Sequence, residues 1–422
     1  MKKNKSIAII GLGYVGLPLA LQFQKHFQVV GFDLSELRIS NLKKNIDNTK
    51  EVSKSDLIKS KNIIFSSDVN DIESCSTYIV CVPTPIDKNN KPNLKSIKNA
   101  CKIVGNCINI NNVVIFESTF YPGVTDEICT PILEKLSNLK HNQDFFTGYS
   151  PERVNPGDKI HRIENTVKVT SGSNNTTATY VDNLYKKIIR AGTFKVSSIK
   201  IAEAAKIIEN TQRDLNIALI NELSMIFNLM NLDTNEIIQA ASTKWNFIKF
   251  NPGLVGGHCI GVDPYYLTYK ANKLGFNPKV ILSGREINDN MSKYVSLKVH
   301  NRLKKIKNSK KNQKILILGI TFKENCPDIR NSKVFDIYNF FTEFNYAVDV
   351  FDPYADKKET FNEYGINLLN KFPTKLYDGI LITVAHKYFI SKGDKLIKKI
   401  SRKNSIIFDV KNIYKDKKML KL

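Results

Sequence analysis

Gly11-Leu-Gly13-Tyr-Val-Gly16 lies between a short apolar run and a stretch of helical periodicity. Ser6 to Ile10 reads as a strand, Val15 to Phe27 as a helix, and Gln28 to Phe32 as a second strand ending at Asp33. Strand, tight turn, helix, strand is one βαβ unit, which commits this part of the chain to a parallel sheet covered by helices. GxGxxG alone is a weak signal. Followed by an acidic residue 17 positions after Gly16, at the next strand end, it is a dinucleotide fingerprint. The first glycine permits the turn, the second lets the backbone approach a pyrophosphate at the helix N-terminus, and the third lets helix and strand pack closely. Asp33 is placed to accept hydrogen bonds from both ribose hydroxyls. Its charge repels an adenosine 2′-phosphate, which favours NAD over NADP, although Arg38 nearby weakens that preference.

Further strand-like runs at Thr77 to Val82 and Val113 to Glu117 alternate with helical patterns, and the first α/β unit is expected to span 1–196. A helical segment, 197–306, follows. Ile199 to Asn231 contains neither Pro nor Gly and keeps a helical apolar period, giving a helix of about 30 residues, roughly 45 Å long. More helix is expected from Asn235 to Ser242, Val262 to Lys273 and Lys279 to Ile306. A second βα series occupies 307–422, with strands at Ile315 to Leu318, Val348 to Phe351, Gly379 to Val384 and Ile406 to Val410. The predicted fold is α/β: two Rossmann-like parallel-sheet domains joined by a central helical domain with one long helix.

With 422 residues, 42% of them apolar, the chain is too long and too hydrophobic for a disordered segment or a disulfide scaffold. Its seven cysteines form no CxxC, which speaks against a zinc knuckle and suits a reducing compartment. No metal site is expected. The formal charge of +23 raises nucleic acid as a partner. However, the lysines are spread out, and the densest runs, Arg302 to Lys314 and Lys415 to Lys421, carry no interleaved aromatics to stack bases and read as linker and tail. Lys, Asn and Ile are all abundant, as A+T-rich codons would give. The apolar stretch Ser6 to Ala20 behind three lysines imitates a signal peptide, but its glycines interrupt it, and no run reaches a membrane span. A cytoplasmic protein is expected, with no nucleic-acid or membrane partner.

Three further features carry chemistry. In Phe250-Asn251-Pro-Gly-Leu-Val-Gly-Gly257-His-Cys259-Ile-Gly-Val-Asp263, four glycines within nine residues surround one cysteine. A nucleophile needs such room, and a helix beginning near Val262 favours its thiolate. His258 is adjacent in sequence, so its side chain is expected to face elsewhere. Tyr149-Ser-Pro-Glu152-Arg153-Val-Asn155-Pro156-Gly157-Asp158 places charged side chains among turn formers at a strand end. Lys206 and Asn210 stand one turn apart on the long helix, among alanines and isoleucines.

Taken together, these motifs resemble the UDP-glucose/GDP-mannose dehydrogenase family over essentially the whole chain. The stretches Ser150 to Asp158, Gly256 to Leu267, Ile208 to Leu219 and Thr321 to Arg330 are most similar to its bacterial UDP-N-acetylhexosamine branch, which serves capsule and O-antigen synthesis. The resemblance implies NAD-dependent oxidation of a sugar C6 alcohol to the acid, with two NAD reduced and one water consumed. Cys259 would hold the aldehyde as a thiohemiacetal and then a thioester. Lys206 and Asn210 would steady the oxyanion, Asp263 would order the water, Glu152 would serve hydrolysis, and Thr119 would join the water network. The implied cofactor set is Gly11, Gly13, Tyr14, Val15, Gly16, Asp33, Arg38, Pro83, Thr84, Thr119 and Arg330. The implied substrate set is Glu152, Arg153, Lys206, Asn210, Phe250, Asn251, Gly257 and Lys323. A homodimer or larger assembly built through the long helix is expected. UDP-glucose members carry a second glutamate four residues after the first. Here Pro156 stands in its place, which favours an acetamido sugar. Two other function classes are set aside: a binding relative without turnover would be expected to lack Cys259, Lys206 or Asp263, and a one-step alcohol dehydrogenase would not require the cysteine.

Overall fold

The structure, a computed structural model, describes residues 6–153, 162–306 and 313–422. The chain divides into two compact units: Met1–Glu209 with Tyr265–Phe276, and Asn210–Pro264 with Asn277–Leu422.

The first unit holds an eight-stranded sheet. Its strands are β1 (Ser6–Ile10), β2 (Gln28–Phe32), β3 (Ile63–Ser66), β4 (Thr77–Val80), β5 (Val113–Phe116), β6 (Phe146–Tyr149), β7 (Lys168–Gly172) and β8 (Thr193–Lys195). Their order is β3-β2-β1-β4-β5-β6-β7-β8. Ile7, Ile9, Val29, Ile79 and Ile115 are buried with Leu17, Leu19, Ala20 and Phe23 of the first helix. Ala8, Ile10, Tyr78, Val80, Val114 and Phe116, alternating with them along the strands, are buried as well. Both faces are therefore covered, as a parallel sheet requires. Chain order reverses between β1 and β4, the switch point at which open α/β sheets bind their ligands. The sheet departs from the all-parallel expectation at one joint, where β6 and β7 run antiparallel. An antiparallel neighbour needs no crossover helix. The helix over the fingerprint ends earlier than its periodicity suggests, spanning Gly16–Phe23.

The second unit holds a five-stranded, wholly parallel sheet. Its strands are β9 (Lys314–Leu318), β10 (Ala347–Phe351), β11 (Tyr377–Ile382), β12 (Ser401–Asp409) and β13 (Leu420–Lys421), in the order β10-β9-β11-β12-β13. Ile315 and Ile317 face Met291, Val295, Val299 and Leu303 of the helix Lys279–Lys304. Leu316 and Leu318 face Phe389 and Ile397 on the other side. The C-terminal lysine-rich run is not a free tail, because Leu420 and Lys421 pair with β12 as an edge strand. Of the expected linker, Arg302 to Lys314, residues 307–312 lie outside the described residues, while Arg302–Lys304 end a helix and Lys314 opens β9.

The long helix spans Ile199–Leu229, 31 residues, and the boundary between the units falls within it. Helices Thr234–Ala241 and Asp263–Lys273 follow. Among the described residues no helix is long and apolar enough to cross a membrane. Nor does any group of three or more His, Cys, Asp or Glu side chains there offer a metal site.

Candidate active site

The fingerprint turn meets the geometric demands of a dinucleotide. Gly11 has φ +91°, in the left-handed region that favours glycine. A Cβ on Gly16 would stand 1.8 Å from the Gly11 carbonyl oxygen, so only glycine lets the helix pack this close. A Cβ on Gly13 would meet no atom within 4 Å, so that side of the turn is open. Asp33 lies at the end of β2, half-buried, with Oδ2 accepting the Leu12 N–H at 2.9 Å and Oδ1 accepting the Ser35 N–H at 2.9 Å. Arg38 forks onto the Leu12 carbonyl with Nε and Nη2 and pairs with Asp47 through Nη1 at 2.7 Å. Arg38 thus braces the turn and is anchored by a buried carboxylate. Burial pushes Asp47 up, but the Val52 N–H, the Thr49 hydroxyl and Arg38 outweigh it and hold the carboxyl below the usual range. Tyr14 and Val15 are half-buried in the turn. Across the switch point, Thr84 donates to the Thr119 carbonyl at 2.9 Å and Ser118 to the Val82 carbonyl at 2.6 Å, tying together the loops after β4 and β5. Pro83 is exposed between them.

The second sheet repeats this device and then closes it. Gly11 and Gly319 donate to the carbonyls of Phe32 and Phe351, and Leu12 and Ile320 donate to Asp33 and Asp352. Asp352, however, is buried. It takes the N–H groups of Tyr354 and Ala355 and faces His386 Nε2 at 3.0 Å. The carboxylate that stands half-open in the first unit is consumed by the chain itself in the second. Of the two, only the first unit fits NAD.

Also in the first unit, Glu152 follows β6 and faces Lys206 Nζ at 3.4 Å, with Lys206 5% exposed. The other carboxylate oxygen of Glu152 is buried with no hydrogen-bond partner among the described residues. An unmatched buried oxygen is costly unless a ligand or water completes it. Arg153 pairs with Glu209 and donates to the Val167 carbonyl at 2.7 Å, so its guanidinium also secures the Glu152 segment. Asn155, Pro156, Gly157 and Asp158 lie outside the described residues. One turn before Lys206, Glu203 accepts from the Gly123 N–H, the Thr125 N–H and the Thr125 hydroxyl. Burial outweighs those bonds and pushes its carboxyl up to about 7.

The cysteine loop lies in the second unit. The Cys259 carbonyl accepts the N–H groups of Val262 and Asp263, at 3.0 and 2.8 Å, and the helix Asp263–Lys273 begins there. The cysteine therefore stands at a helix N-terminus, where developing negative charge is favoured. Cys259 is half-buried, whereas five of the other six cysteines are fully buried. Asp263, 2% exposed, accepts from Asn210 Nδ2 at 2.6 Å. Gly257 has φ +82°, and a Cβ there would press 2.7 Å from the Phe322 ring. Its N–H donates to the Asn331 carbonyl at 3.3 Å, so the loop rests on the segment that carries Lys323 and Arg330. His258 meets the Phe322 ring edge-on and stands 3.8 Å from Asp328. Arg330 forks onto Asp328, and this pairing outweighs the upward push of burial and holds the Asp328 carboxyl down. Phe250 and Lys323 are half-buried and Asn251 is exposed.

Thr119, Glu152 and Lys206 belong to the first unit; Asn210, Cys259 and Asp263 belong to the second. Buried polar groups that no motif marks surround these elements: Glu117 and Lys168 bond the Pro151–Glu152 backbone and Glu203 the Gly123–Thr125 turn in the first unit, while Asn221 bonds Gly253 and Arg285 and Asn288 bond Asp214 in the second. A usable signal existed for the long helix. Glu203, Lys206, Asn210, Asp214 and Asn221 recur at helical spacing, and four of the five are buried.

The comparisons with known proteins agree along the whole chain. Three domain models of one family match in succession, that of the UDP-glucose/GDP-mannose dehydrogenases: the NAD binding domain over residues 5–189, the central domain over 200–290 and the UDP binding domain over 316–416. The UDP-N-acetyl-D-glucosamine 6-dehydrogenase of Pseudomonas aeruginosa is 50% identical over 421 residues, covering 100% of both chains. The enzyme of the same name from Salmonella typhi is 48% identical over 407 residues, 96% of each. Among solved structures, the UDP-D-ManNAc dehydrogenase of Pyrococcus horikoshii superposes with a TM-score of 0.88 at 28% identity, covering 97% of this chain and 96% of that one.

Proposed function

The chain belongs to the UDP-glucose/GDP-mannose dehydrogenase family, and from that premise we propose that it oxidises C6 of a UDP-N-acetylhexosamine, the gluco epimer first, from alcohol to acid. It is an NAD-dependent UDP-sugar dehydrogenase. The observation that carries the finer assignment is likeness of about half the residues, over full length, to two UDP-N-acetyl-D-glucosamine 6-dehydrogenases, against 33% for the UDP-N-acetyl-D-mannosamine dehydrogenase of Methanococcus maripaludis.

The roles follow the chemistry of the side chains. Gly11, Gly13 and Gly16 seat the pyrophosphate and Asp33 the ribose, with Arg38 bracing the turn. Bound there, NAD supplies the hydride acceptor for each of two oxidations. Cys259 adds to the aldehyde carbon, giving a thiohemiacetal, and after the second oxidation it holds the acyl group as a thioester. Lys206 and Asn210 stabilise the oxyanion, a task worth several kcal/mol in acyl chemistry. Asp263 orders the water, Glu152 takes its proton during hydrolysis, and Thr119 joins the same water network. Arg153, Phe250, Asn251, Gly257 and Lys323 position the UDP-sugar, and Arg330 acts at the cofactor side. In this scheme residues 1–196 bind NAD, 197–306 form the helical centre and assembly surface, and 307–422 bind UDP. The product would be a sugar acid for surface polysaccharide, made in the cytoplasm by a homodimer or larger assembly.

The test is NADH counted per sugar across UDP-N-acetylglucosamine, UDP-N-acetylgalactosamine, UDP-N-acetylmannosamine and UDP-glucose. The expected result is two NADH per acetamido sugar. kcat/KM for UDP-glucose should be lower by on the order of 10²- to 10⁴-fold, because glucose leaves two groups shaped for an acetamide unpaired at about 1–3 kcal/mol each. Equal values for UDP-glucose and the acetamido sugars would reject the acetamide assignment. One NADH per sugar would reject the covalent route.

A further inference from the structure

Lys168 is a buried lysine, 3% exposed, on β7. Nothing in the sequence marked it, and no role assigned above uses it. Its ammonium donates to the Glu117 carboxylate and to the Pro151 carbonyl, the latter at 2.8 Å. Glu117 is fully buried at the end of β5. Its second oxygen takes the Tyr185 hydroxyl, and Lys168 Nζ also lies 5.3 Å from the centre of that ring. The cluster reaches the Glu152 segment twice, since the Pro151 carbonyl accepts from Lys168 and the Glu152 N–H donates to the Glu117 carbonyl at 3.3 Å. A buried ion pair seldom justifies itself by net stability, because desolvation offsets most of the attraction. Burial indeed pushes the Glu117 carboxyl up in spite of Lys168. What the pair does geometrically is fix the peptide on which Glu152 stands, leaving one Glu152 oxygen toward Lys206 and the other without a hydrogen-bond partner among the described residues.

We propose that Lys168, held by Glu117 and Tyr185, is a positioning residue for Glu152 in hydrolysis of the acyl-enzyme. The proposal rests on the assignment of Glu152 to that step. In the step, water oxygen bonds to the acyl carbon and the C–S bond breaks. The sugar leaves as a carboxylate, Cys259 recovers its thiol, and the proton released passes first to Glu152. A Glu152 displaced by an ångström would slow this step and leave both hydride transfers intact, and misplacement on that scale costs on the order of a hundredfold.

The experiment compares the wild type with Glu152→Gln, Lys168→Met and the neutral pair Glu117→Gln/Lys168→Met, mixed with NAD and UDP-N-acetylglucosamine. NADH is followed by stopped flow and the protein by intact mass. Lys168→Met is expected to show a normal NADH burst and then a steady state slowed on the order of tenfold to a hundredfold. It should carry an acyl adduct removable by hydroxylamine and lower KM for the sugar in parallel with kcat, leaving kcat/KM unchanged. Lys168→Met strands a buried charge on Glu117. The neutral pair removes that charge and is expected to recover the thermal midpoint while keeping the slow hydrolysis and the adduct, so loss of fold is separated from loss of position. A wild-type steady state, or a slow one with no adduct, in the neutral pair overturns the proposal while Glu152→Gln still accumulates adduct. Absence of adduct in Glu152→Gln overturns the assignment of Glu152, and the proposal falls with it.

Discussion

Asn221 grips Gly253 by both of its backbone groups: the side-chain Oδ1 accepts the Gly253 N–H at 2.8 Å, and Nδ2 donates to the Gly253 carbonyl at 3.0 Å. The remaining hydrogen of that amide goes to Asn288 Oδ1 at 2.8 Å. Asn288 in turn donates to the Asp214 carboxylate, which also takes Arg285 at 2.6 Å. Asn221 and Gly253 are both buried, six residues before Cys259 at the near end. Asn221→Ala is expected to strand two buried backbone groups, at about 1–3 kcal/mol each. Urea unfolding should show the loss, and kcat should fall while NAD affinity holds. An unchanged midpoint with full activity would mean that the clasp does not hold the cysteine loop.

The second and third glycines of the fingerprint, Gly13 and Gly16, separate binding from folding. Gly16→Ala puts a Cβ 1.8 Å from the Gly11 oxygen, which forces helix and strand apart. It should unfold many degrees below the wild type or fail to accumulate. Gly13→Ala adds its methyl to open space and should fold normally, but that methyl occupies the approach of the pyrophosphate. Calorimetric titration should show NAD affinity lower by about tenfold or more, at an unchanged melting temperature. Normal affinity in Gly13→Ala would move the cofactor off this turn.

Glu203 gives stability a pH dependence of definite sign. Its folded carboxyl is raised to about 7 by burial, against the ordinary 4.5 of a glutamate. Between those values the folded chain holds a proton that the unfolded chain has released. The stability contributed is full below pH 4.5 and is lost as pH rises through about 7. Glu203→Gln cannot titrate. The melting temperature of the wild type minus that of Glu203→Gln should therefore fall steadily from pH 5 to pH 8. A flat or rising difference contradicts a protonated Glu203 in the native state.

The β1 turn, the helix after it and the second strand were legible because one glycine pattern, one apolar period and one acidic strand end all point to the same unit. The long helix was legible within two residues of its end, since nothing in it breaks helical spacing. What escaped was of another kind. β7 carries Lys168 and Thr170 and is still fully buried, because Glu117 and Asp182 meet those side chains from elsewhere in the chain. A buried lysine with a distant partner looks like a surface lysine until the partner is known. The short strands β3 and β8 expose part of their surface and carry little period-2 signal. Cys259, by contrast, stood out through its glycines, and those glycines prove to be shaped by Phe322 and Asn331, 65 and 74 residues downstream of Gly257.

The long helix carries apolar side chains that stand exposed among the described residues. Ile201, Ile208, Leu219 and Ile226 are 48%, 55%, 53% and 45% exposed. Their spacings are 7, 11 and 7 residues, which are two, three and two helical turns, so the four lie along one stripe. Leu229, 85% exposed, continues it by a further step of three. Single exposed apolar residues are ordinary, whereas a stripe along a helix more than 40 Å long marks a contact surface. A second copy of the chain is the simplest occupant, since it brings a matching stripe of its own. Leu219→Glu/Ile226→Glu puts two charges into the middle of that stripe and touches none of the groups assigned to NAD, sugar or Cys259. The pair should leave secondary structure and melting of the isolated chain intact and shift the mass by light scattering from a dimer or larger species to 48 kDa. A wild type that scatters as a 48 kDa particle at micromolar concentration with full activity would remove self-association as the purpose of the stripe.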